Sequence, residues 1–285
     1  MTTATLSARS AKARFHLAGG AQPLILLPVE VNGQGPFKFI LDTGAGTSLL
    51  STELGQQLGV KILGSKEGQS AGGAISVSLA KVNSLAVGSA RLKNLEVGLV
   101  DLSHIGRTVG AQIDGDLGYN FLKHYRIRID YRKNELRLAD PKQFESAGRA
   151  TAITEVPMRL ASPAKPLILV DIHANGAGPF QFAIDTGTST TAIRPDLAKQ
   201  LGIESSPVGP VTTGRAPVQV TAGSIHSFQL GGARIDGLPV VVADFFSALS
   251  DVLGVRLDGI VGYNFLRNYK VVLDYPNETL GLFTA

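Results

Sequence analysis

Two short segments of the chain end an apolar run with an aspartate and follow it with Thr-Gly. The first reads Phe-Ile-Leu-Asp-Thr-Gly, with its carboxylate at Asp42, and the second reads Phe-Ala-Ile-Asp-Thr-Gly, with its carboxylate at Asp185. Two carboxylates held close together cannot both ionise freely, so they share a proton and titrate as a pair. One member of such a pair can take a proton from water while the other donates one to a substrate carbonyl. This chemistry hydrolyses an amide without a covalent intermediate.

The two segments belong to an internal duplication of the whole chain. At one constant spacing Asp42 aligns with Asp185, and Asn-Gly and Gly-Pro-Phe sequences align before them. Near the end of each copy the spacing grows by one residue, and Gly-Tyr-Asn-Phe-Leu at 118–122 then aligns with 262–266. Only two long copies are present, which favours a pseudo-twofold pair of lobes over a solenoid. We predict an N-terminal tail at 1–12, a first lobe at 13–146 and a second lobe at 147–285.

The patterns around each aspartate predict the elements that position it. In the first copy a strand over 24–31, a turn at Asn32-Gly33 with Gly35-Pro36, and a returning strand over 37–41 lead to Asp42. A short helix follows at 51–59, with Ser51 as its N-cap, and the second copy has a matching helix with Pro195 in its first turn. Alternating apolar residues at 75–79 predict a half-buried strand. Each copy ends in a predicted hairpin, at 126–138 and 270–283.

Composition limits the function classes. The chain has 285 residues, 44% of them hydrophobic, and carries a formal net charge of +4. Its basic residues are scattered, which argues against nucleic-acid binding. It has no cysteine, and its five histidines lack metal-ligand spacing, so we expect no metal or cofactor. No apolar run is long enough to span a bilayer, and the first twenty residues lack the apolar core of a signal peptide. Localisation stays open, with the periplasm or secretion possible if a leader was removed.

The residues resemble an aspartic protease of the retropepsin-like, bacterial aspartyl protease type, with two lobes fused as in pepsins. The motifs are FILDTGAGTS, FAIDTGTSTT, DLGYNFL and IVGYNFL, and the resemblance extends over nearly the whole chain. It implies an all-β fold of two pseudo-twofold-related lobes, each a closed or folded sheet with a short helix, and a cleft between them. It also implies an aspartic endopeptidase that binds a polypeptide extended in the cleft. A monomer would suffice for one site, and a homodimer with sites across chains stays open.

The resemblance assigns roles to positions in the two loops. The catalytic pair would be Asp42 and Asp185. The remaining loop residues would support them, with the threonines as cross-links between the loops and the glycines allowing close approach: Thr43, Gly44, Thr186, Gly187 and Thr188. Hairpin flaps over the cleft are expected at 69–74 and 212–217, where the candidates are Ser70, Gly72, Gly73, Thr213 and Gly214. Neither flap contains a tyrosine.

Two departures break the symmetry of the repeat. Thr188 follows the second Asp-Thr-Gly, whereas Ala45 follows the first. A hydroxyl at this position can hydrogen-bond the carboxylate and favour its charged form, so we predict unequal aspartates and activity at milder acidity than in pepsins. The second departure is Asp116, which stands where the second copy has Ile260. A charge at an apolar supporting position is costly unless it is solvated or paired, so we expect Asp116 to turn outward or its loop to pack differently.

Three alternatives remain at this stage. A lone Asp-Thr-Gly can be an ordinary turn, although two copies in register argue against it. The duplicated lobes can also form a catalytically inactive or latent peptide-binding module of the same fold. Finally, 68–72 matches the G-x-S-x-G nucleophile elbow of serine hydrolases. That motif needs a buried strand before it and a helix after it, whereas here an alternating strand pattern follows, and the second copy lacks the motif.

Overall fold

The computed structural model describes residues 3–6, 10–70, 73–141, 152–163, 165–212 and 217–285. The elements of the first half, in chain order, are β1 (Thr3–Leu6), β2 (Ser10–Arg14), β3 (His16–Ala18), β4 (Leu24–Val31), β5 (Gln34–Leu41), β6 (Leu49–Ser51), α1 (Thr52–Gln57), β7 (Ile62–Ser70), β8 (Gly73–Val87), β9 (Ala90–Val100), α2 (Ser103–Val109), β10 (Gly115–Leu117), α3 (Tyr119–Leu122), β11 (Arg126–Asp130) and β12 (Glu135–Ala139). No helix in these described ranges, or in those of the second half, is long and apolar enough to cross a membrane.

The second half repeats this order. Its elements are β13 (Ala152–Pro157), β14 (Arg159–Leu160), β15 (Ile168–Ala174), β16 (Ala177–Ile184), β17 (Ala192–Ile193), α4 (Pro195–Gln200), β18 (Ser206–Thr212), β19 (Pro217–Leu230), β20 (Ala233–Ala243), α5 (Phe246–Leu253), β21 (Gly259–Val261), α6 (Tyr263–Leu266), β22 (Tyr269–Asp274) and β23 (Thr279–Thr284). The predicted all-β fold of two related lobes is confirmed.

Strand pairing closes a ring in each lobe. In the first lobe the ring runs β9-β6-β10-β5-β4-β8 and returns to β9. In the second it runs β15-β16-β21-β17-β20-β19 and returns to β15. A closed ring leaves no unpaired edge within it and buries the apolar side chains that face inward. The ring therefore gives a rigid base for the loop that carries each aspartate.

The turn that aims β5 toward Asp42 uses only two residues. Val31 pairs directly with Gln34, and Asn32 and Gly33 both have positive φ, 54° and 78°. Asparagine and glycine favour this pair of conformations, which matches the twist of a two-residue hairpin. Gly35-Pro36 was predicted as part of the turn, and this was wrong. It lies inside β5, next to an irregularity in the pairing with β4.

The predicted helices form, and each lobe contains additional short ones. Ser51 caps α1 by accepting a hydrogen bond from the backbone N–H of Leu54 at 3.0 Å, and Pro195 begins α4. α2 and α5 follow the long hairpins, and α3 and α6 are single turns formed by the repeated Tyr-Asn-Phe-Leu. Helices of this length depend on tertiary packing, because they are too short to be stable alone.

A six-stranded sheet joins the two lobes behind the loops. Its order is β13-β23-β22-β11-β12-β2, and β11 of the first lobe pairs with β22 of the second over five residues on each strand. One continuous hydrophobic core extends through both lobes. Ser10–Arg14, most of which falls within the segment predicted as a tail, forms the edge strand β2 of this sheet. The predicted lobe boundaries near residue 146 lie outside the described residues.

Candidate active site

Each aspartate lies where a strand of the ring ends beside a parallel neighbour. The backbone N–H of Asp42 donates to the carbonyl of Leu117 at 3.2 Å, and that of Asp185 donates to Val261 at 3.1 Å. In both lobes this neighbour is the short strand that precedes Gly-Tyr-Asn-Phe-Leu. The repeated sequence therefore fixes the backbone at both aspartates in the same way.

The threonines of the two loops are bonded across the lobes. The hydroxyl of Thr43 donates to the carbonyl of Ile184 at 2.9 Å and accepts the backbone N–H of Thr186 at 3.1 Å. Reciprocally, the hydroxyl of Thr186 donates to Leu41 at 2.7 Å and accepts the N–H of Thr43 at 3.1 Å. Both threonines are buried, at 1% and 2% exposure. These four hydrogen bonds hold the ends of the two aspartate-bearing strands together.

The glycines of the loops face the opposite aspartate. A Cβ built on Gly44 would lie 2.8 Å from the Cγ of Asp185, and one built on Gly187 would lie 2.8 Å from the Cγ of Asp42. Real Cβ atoms do not approach other carbons so closely, so only glycine fits here. The carboxyl groups of Asp42 and Asp185 are themselves in hydrogen-bonding contact. The pseudo-twofold packing therefore brings the two aspartates of one chain together.

The loop around each carboxylate supplies different hydrogen-bond donors. Oδ1 of Asp42 accepts the backbone N–H groups of Gly44 at 2.7 Å and Ala45 at 3.1 Å. Oδ1 of Asp185 accepts the N–H of Gly187 at 2.8 Å, and its Oδ2 accepts the hydroxyl of Thr188 at 2.7 Å. The asymmetry between alanine and threonine in the sequence thus becomes a difference in O–H donation to the two carboxylates.

The pKa of Asp185 is raised to about 8. Burial is the main cause, followed by the negative charge of Asp42, while the hydrogen bonds from Thr188 and Gly187 act in the opposite direction. The hydroxyl of Thr188 therefore favours the charged carboxylate, but burial and the neighbouring charge outweigh it. The pair therefore holds a proton near neutral pH, and the protonated carboxyl group can donate a hydrogen bond to the other.

The aspartates lie at the floor of a cleft between the lobes with a volume of about 720 Å³. Its walls are largely apolar, with Leu24 and Ile105 on the first-lobe side and Phe245 and Leu249 on the second-lobe side. Its lining also includes a smaller set of polar side chains, among them Asp42 and Asp185. An apolar cleft with a few convergent polar groups is the usual form of a ligand-binding site.

Asp116 also faces this cleft, so the outward turn, one of the two alternatives expected from the sequence, is wrong. It lies on β10 and is 7% exposed, and its carboxyl group is in hydrogen-bonding contact with that of Asp42. Burial and the charge of Asp42 raise its pKa well above the usual range of an aspartate. The charge cost anticipated from the sequence is thus avoided by protonation rather than by exposure.

Sequence reasoning missed the asparagines of the two Gly-Tyr-Asn-Phe-Leu segments. Oδ1 of Asn120 accepts both the N–H and the hydroxyl of Ser48 at 2.8 Å, and Asn264 accepts the same two groups of Thr191 at 2.8 Å. These bonds fix the end of each aspartate loop on the helix behind it. The signal was present, because each hydroxyl residue and each asparagine recur in register in the two copies.

The predicted flaps are only partly described. β7 and β8 form a hairpin in which Ser70 pairs with Gly73, and Ile75 and Ser76 on β8 line the cleft. Gly72 lies outside the described residues. β18 and β19 form the matching hairpin of the second lobe, and Thr213 and Gly214 lie outside the described residues. The G-x-S-x-G match enters this first hairpin and is followed by β8, so it lacks the strand-to-helix turn of a nucleophile elbow.

Comparison with known families supports the fold and the duplication. The family described as aspartyl protease matches the chain twice, over residues 27–121 and 170–265. Each match covers one lobe and contains one Asp-Thr-Gly loop. The chain therefore belongs to the aspartyl protease family, with two copies of the family domain in tandem. No curated protein matches the chain.

Proposed function

We propose that the protein is an aspartic endopeptidase in which Asp42 and Asp185 form the catalytic pair. The observation that carries this proposal is the hydrogen-bonding contact between the two carboxyl groups at the floor of the cleft. Sharing of one proton between two aspartates is the general feature of aspartic proteases. Membership of the aspartyl protease family agrees with this chemistry.

The two carboxyl groups take different roles in the proposed reaction. Asp185, which is neutral, donates its proton to the carbonyl oxygen of the scissile peptide bond. Asp42, which accepts two backbone N–H groups, is the carboxylate that removes a proton from the attacking water. The C–N bond of the tetrahedral intermediate then breaks as the proton held by Asp42 passes to the leaving nitrogen. One hydroxyl group of the intermediate returns its proton to Asp185, which restores the starting pair. All four transfers occur between the aspartates, water and substrate.

The cleft suggests a polypeptide substrate bound in an extended conformation. It lies between two lobes and contacts β8 of the first-lobe hairpin, so a strand-like peptide can pass across the aspartates. Both aspartates come from one chain, so a monomer suffices for one complete site. The apolar walls favour apolar side chains near the scissile bond.

The test is cleavage of a peptide library by the purified chain from about pH 3 to about 8, beside Asp42→Asn and Asp185→Asn. We expect the wild type to cleave peptides and neither variant to do so. The wild type should also bind a peptide that carries a hydroxyl isostere at the scissile position. Thr221→Val is a matched control, because the side chain of Thr221 does not line the cleft and its hydroxyl makes an exposed bond to Ser205. If the wild type binds extended peptides and cuts none at any pH, the protein is instead the inactive peptide-binding module.

A further inference from the structure

The strongest break in the pseudo-symmetry of the site is at β10 and β21. Asp116 and Ile260 occupy equivalent positions on these strands, and both are 7% exposed. Each also lines the cleft. The carboxyl group of Asp116 and the apolar side chain of Ile260 thus occupy related environments, and only the carboxyl group can form hydrogen bonds.

The register of β10 turns Asp116 toward the floor of the cleft. Asp116 pairs with Ile40 on the parallel strand β5, two residues before Asp42. Alternate residues of a strand project from the same face, so Ile40 lies on the face that continues to Asp42. The carboxyl groups of Asp116 and Asp42 are in hydrogen-bonding contact, whereas buried Oδ1 of Asp116 receives no N–H or O–H donor from the described residues.

Two carboxyl groups in such contact need a proton between them, because two carboxylates have only acceptor atoms. Burial, and then the charge of Asp42, raise the pKa of Asp116 well above the usual range, so Asp116 carries this proton. Ionisation of Asp185, across the cleft floor, would raise the pKa of Asp116 further. The packed neighbours on β5 and β6, Ile40 and Leu49, are apolar.

Further titratable groups lie near the site but not against Asp116. His104 on α2 and Asp101 before it line the cleft wall. Hydrogen bonds from Ser103, more than any charge, lower the pKa of Asp101. Buried Tyr275 lies close enough to Asp42 for that charge to contribute to its raised pKa. None of these groups supplies a hydrogen bond to Asp116.

The two departures in the repeat compensate each other. In the second lobe the hydroxyl of Thr188 donates to Asp185. In the first lobe Ala45 has no hydroxyl, and Asp116 lies against Asp42, where the second lobe has only Ile260. Apart from the proton shared within the pair, each aspartate therefore has one side-chain O–H donor beside it, a threonine in one lobe and a carboxylic acid in the other.

We propose that Asp116 is a third carboxyl group of this site, a positioning residue whose neutral acid donates a hydrogen bond to the carboxyl group of Asp42 and stabilises the single negative charge of the site. This inference rests on the proposed function, because its kinetic consequence needs the aspartic protease reaction. Asp42 lies between two neutral acids and accepts from both, so the three groups share one negative charge. Stabilisation of that charge extends activity toward lower pH, since the reaction requires one ionised carboxylate in the site.

Two substitutions and one combination test this role. Asp116→Asn keeps a hydrogen-bond donor without an ionisable group, Asp116→Ile installs the second-lobe residue, and Ala45→Thr with Asp116→Ile restores the complete second-lobe pattern. The measurement is kcat/KM against pH for one fixed peptide. We expect the acid limb of Asp116→Ile to move up by about one pH unit, which is roughly a tenfold loss on the acid side. Asp116→Asn and the combined variant should keep the wild-type limb.

A second measurement is independent of activity. The pH dependence of urea unfolding near neutrality counts the protons taken up on folding. Asp116 is ionised in the unfolded chain and neutral in the folded one, so the wild type should take up about one proton more than Asp116→Asn. If no form of the protein cleaves any peptide, the proposed function fails, and this proton count alone decides whether Asp116 is a neutral donor.

Three results would overturn the inference. The first is equal proton uptake by the wild type and Asp116→Asn. The second is an acid limb that stays in place in Asp116→Ile. The third is a change in the preferred substrate side chain with no change in the limb, which would make Asp116 a residue that only lines a binding pocket. A merely structural role would lower activity at every pH and would not be rescued by Ala45→Thr.

Discussion

Replacement of Thr43 by valine tests whether the hydrogen bonds between the loops hold the lobes together. Valine keeps the branched shape and nearly the volume of threonine but removes the hydroxyl. The substitution deletes the bond to the carbonyl of Ile184 and the bond from the N–H of Thr186, at 2.9 and 3.1 Å. Both partner groups lie in the interior, because Ile184 and Thr186 are almost fully buried.

The expected loss follows from the number of groups left without this partner. A buried donor or acceptor that loses its hydrogen bond costs about 1–3 kcal/mol. Two groups lose a partner in Thr43→Val, so we expect the free energy of unfolding to fall by roughly 2–6 kcal/mol. A domain of this kind is stable by only about 5–15 kcal/mol, so the change is a large fraction of the total. Activity should fall as well, because misplacement of the loops by about 1 Å misaligns the reacting groups.

Urea unfolding of the purified protein measures this loss. Thr221→Val is the matched control, since the hydroxyl of Thr221 makes one exposed bond to Ser205 at 2.8 Å and its loss should cost about 0.5 kcal/mol or less. Thr186→Val deletes the reciprocal pair of bonds and should cost about as much as Thr43→Val. Equal stabilities of Thr43→Val and Thr221→Val would refute the argument that these bonds brace the lobes.

Three further predictions concern the second-lobe loop. The raised pKa of Asp185, about 8, means that its contribution to stability is complete below about pH 4 and is lost as the pH rises toward 8. Relative to Asp185→Asn, the wild type should therefore lose about 1 kcal/mol of unfolding free energy per pH unit in this window. Urea unfolding at several pH values measures this, and an equal pH dependence of the unfolding free energy in the two proteins would contradict it. Gly187→Ala places a Cβ 2.8 Å from the Cγ of Asp42, so it should abolish cleavage. The far-UV circular dichroism spectrum should stay native. Retained activity would show that the loop can shift. Thr188→Val removes a bond that lowers the pKa of Asp185, so the alkaline limb of kcat/KM should move to higher pH, and a downward move would reverse our assignment of the acid.

Local chemistry predicted the elements that lead to the site. The turn at Asn32-Gly33 follows from residues that accept positive φ, and the helix after Ser51 follows from a side chain able to cap it. The duplication then supplied the tertiary information. Once the second copy was aligned with the first, the pairing of two Asp-Thr-Gly loops required only a pseudo-twofold axis. These parts were predictable because short-range geometry or the repeat determines them.

Other features depend on contacts that a sequence does not encode locally. Gly35-Pro36 has the composition of a turn, but it lies inside β5 because the two-residue turn before it sets the register. The orientation of Asp116 depends on its register against β5, and its burial becomes acceptable only through a proton shared with Asp42. The bonds of Asn120 and Asn264 join segments about seventy residues apart.

Fusion of the two copies in one chain explains how the site can hold an odd number of carboxyl groups. A symmetric homodimer would present every residue twice, so Asp116 beside Asp42 would place four carboxyl groups around one cleft floor. Each added buried carboxyl must be neutralised or paired, so a fourth would need another bound proton. In the fused chain the second position is Ile260, which needs none. The single negative charge is then surrounded by unequal donors, and each aspartate can keep a different role in proton transfer. Ile260→Asp should therefore impair activity near neutral pH more than Asp116→Asn does, and kcat/KM measured side by side for the two variants checks this expectation.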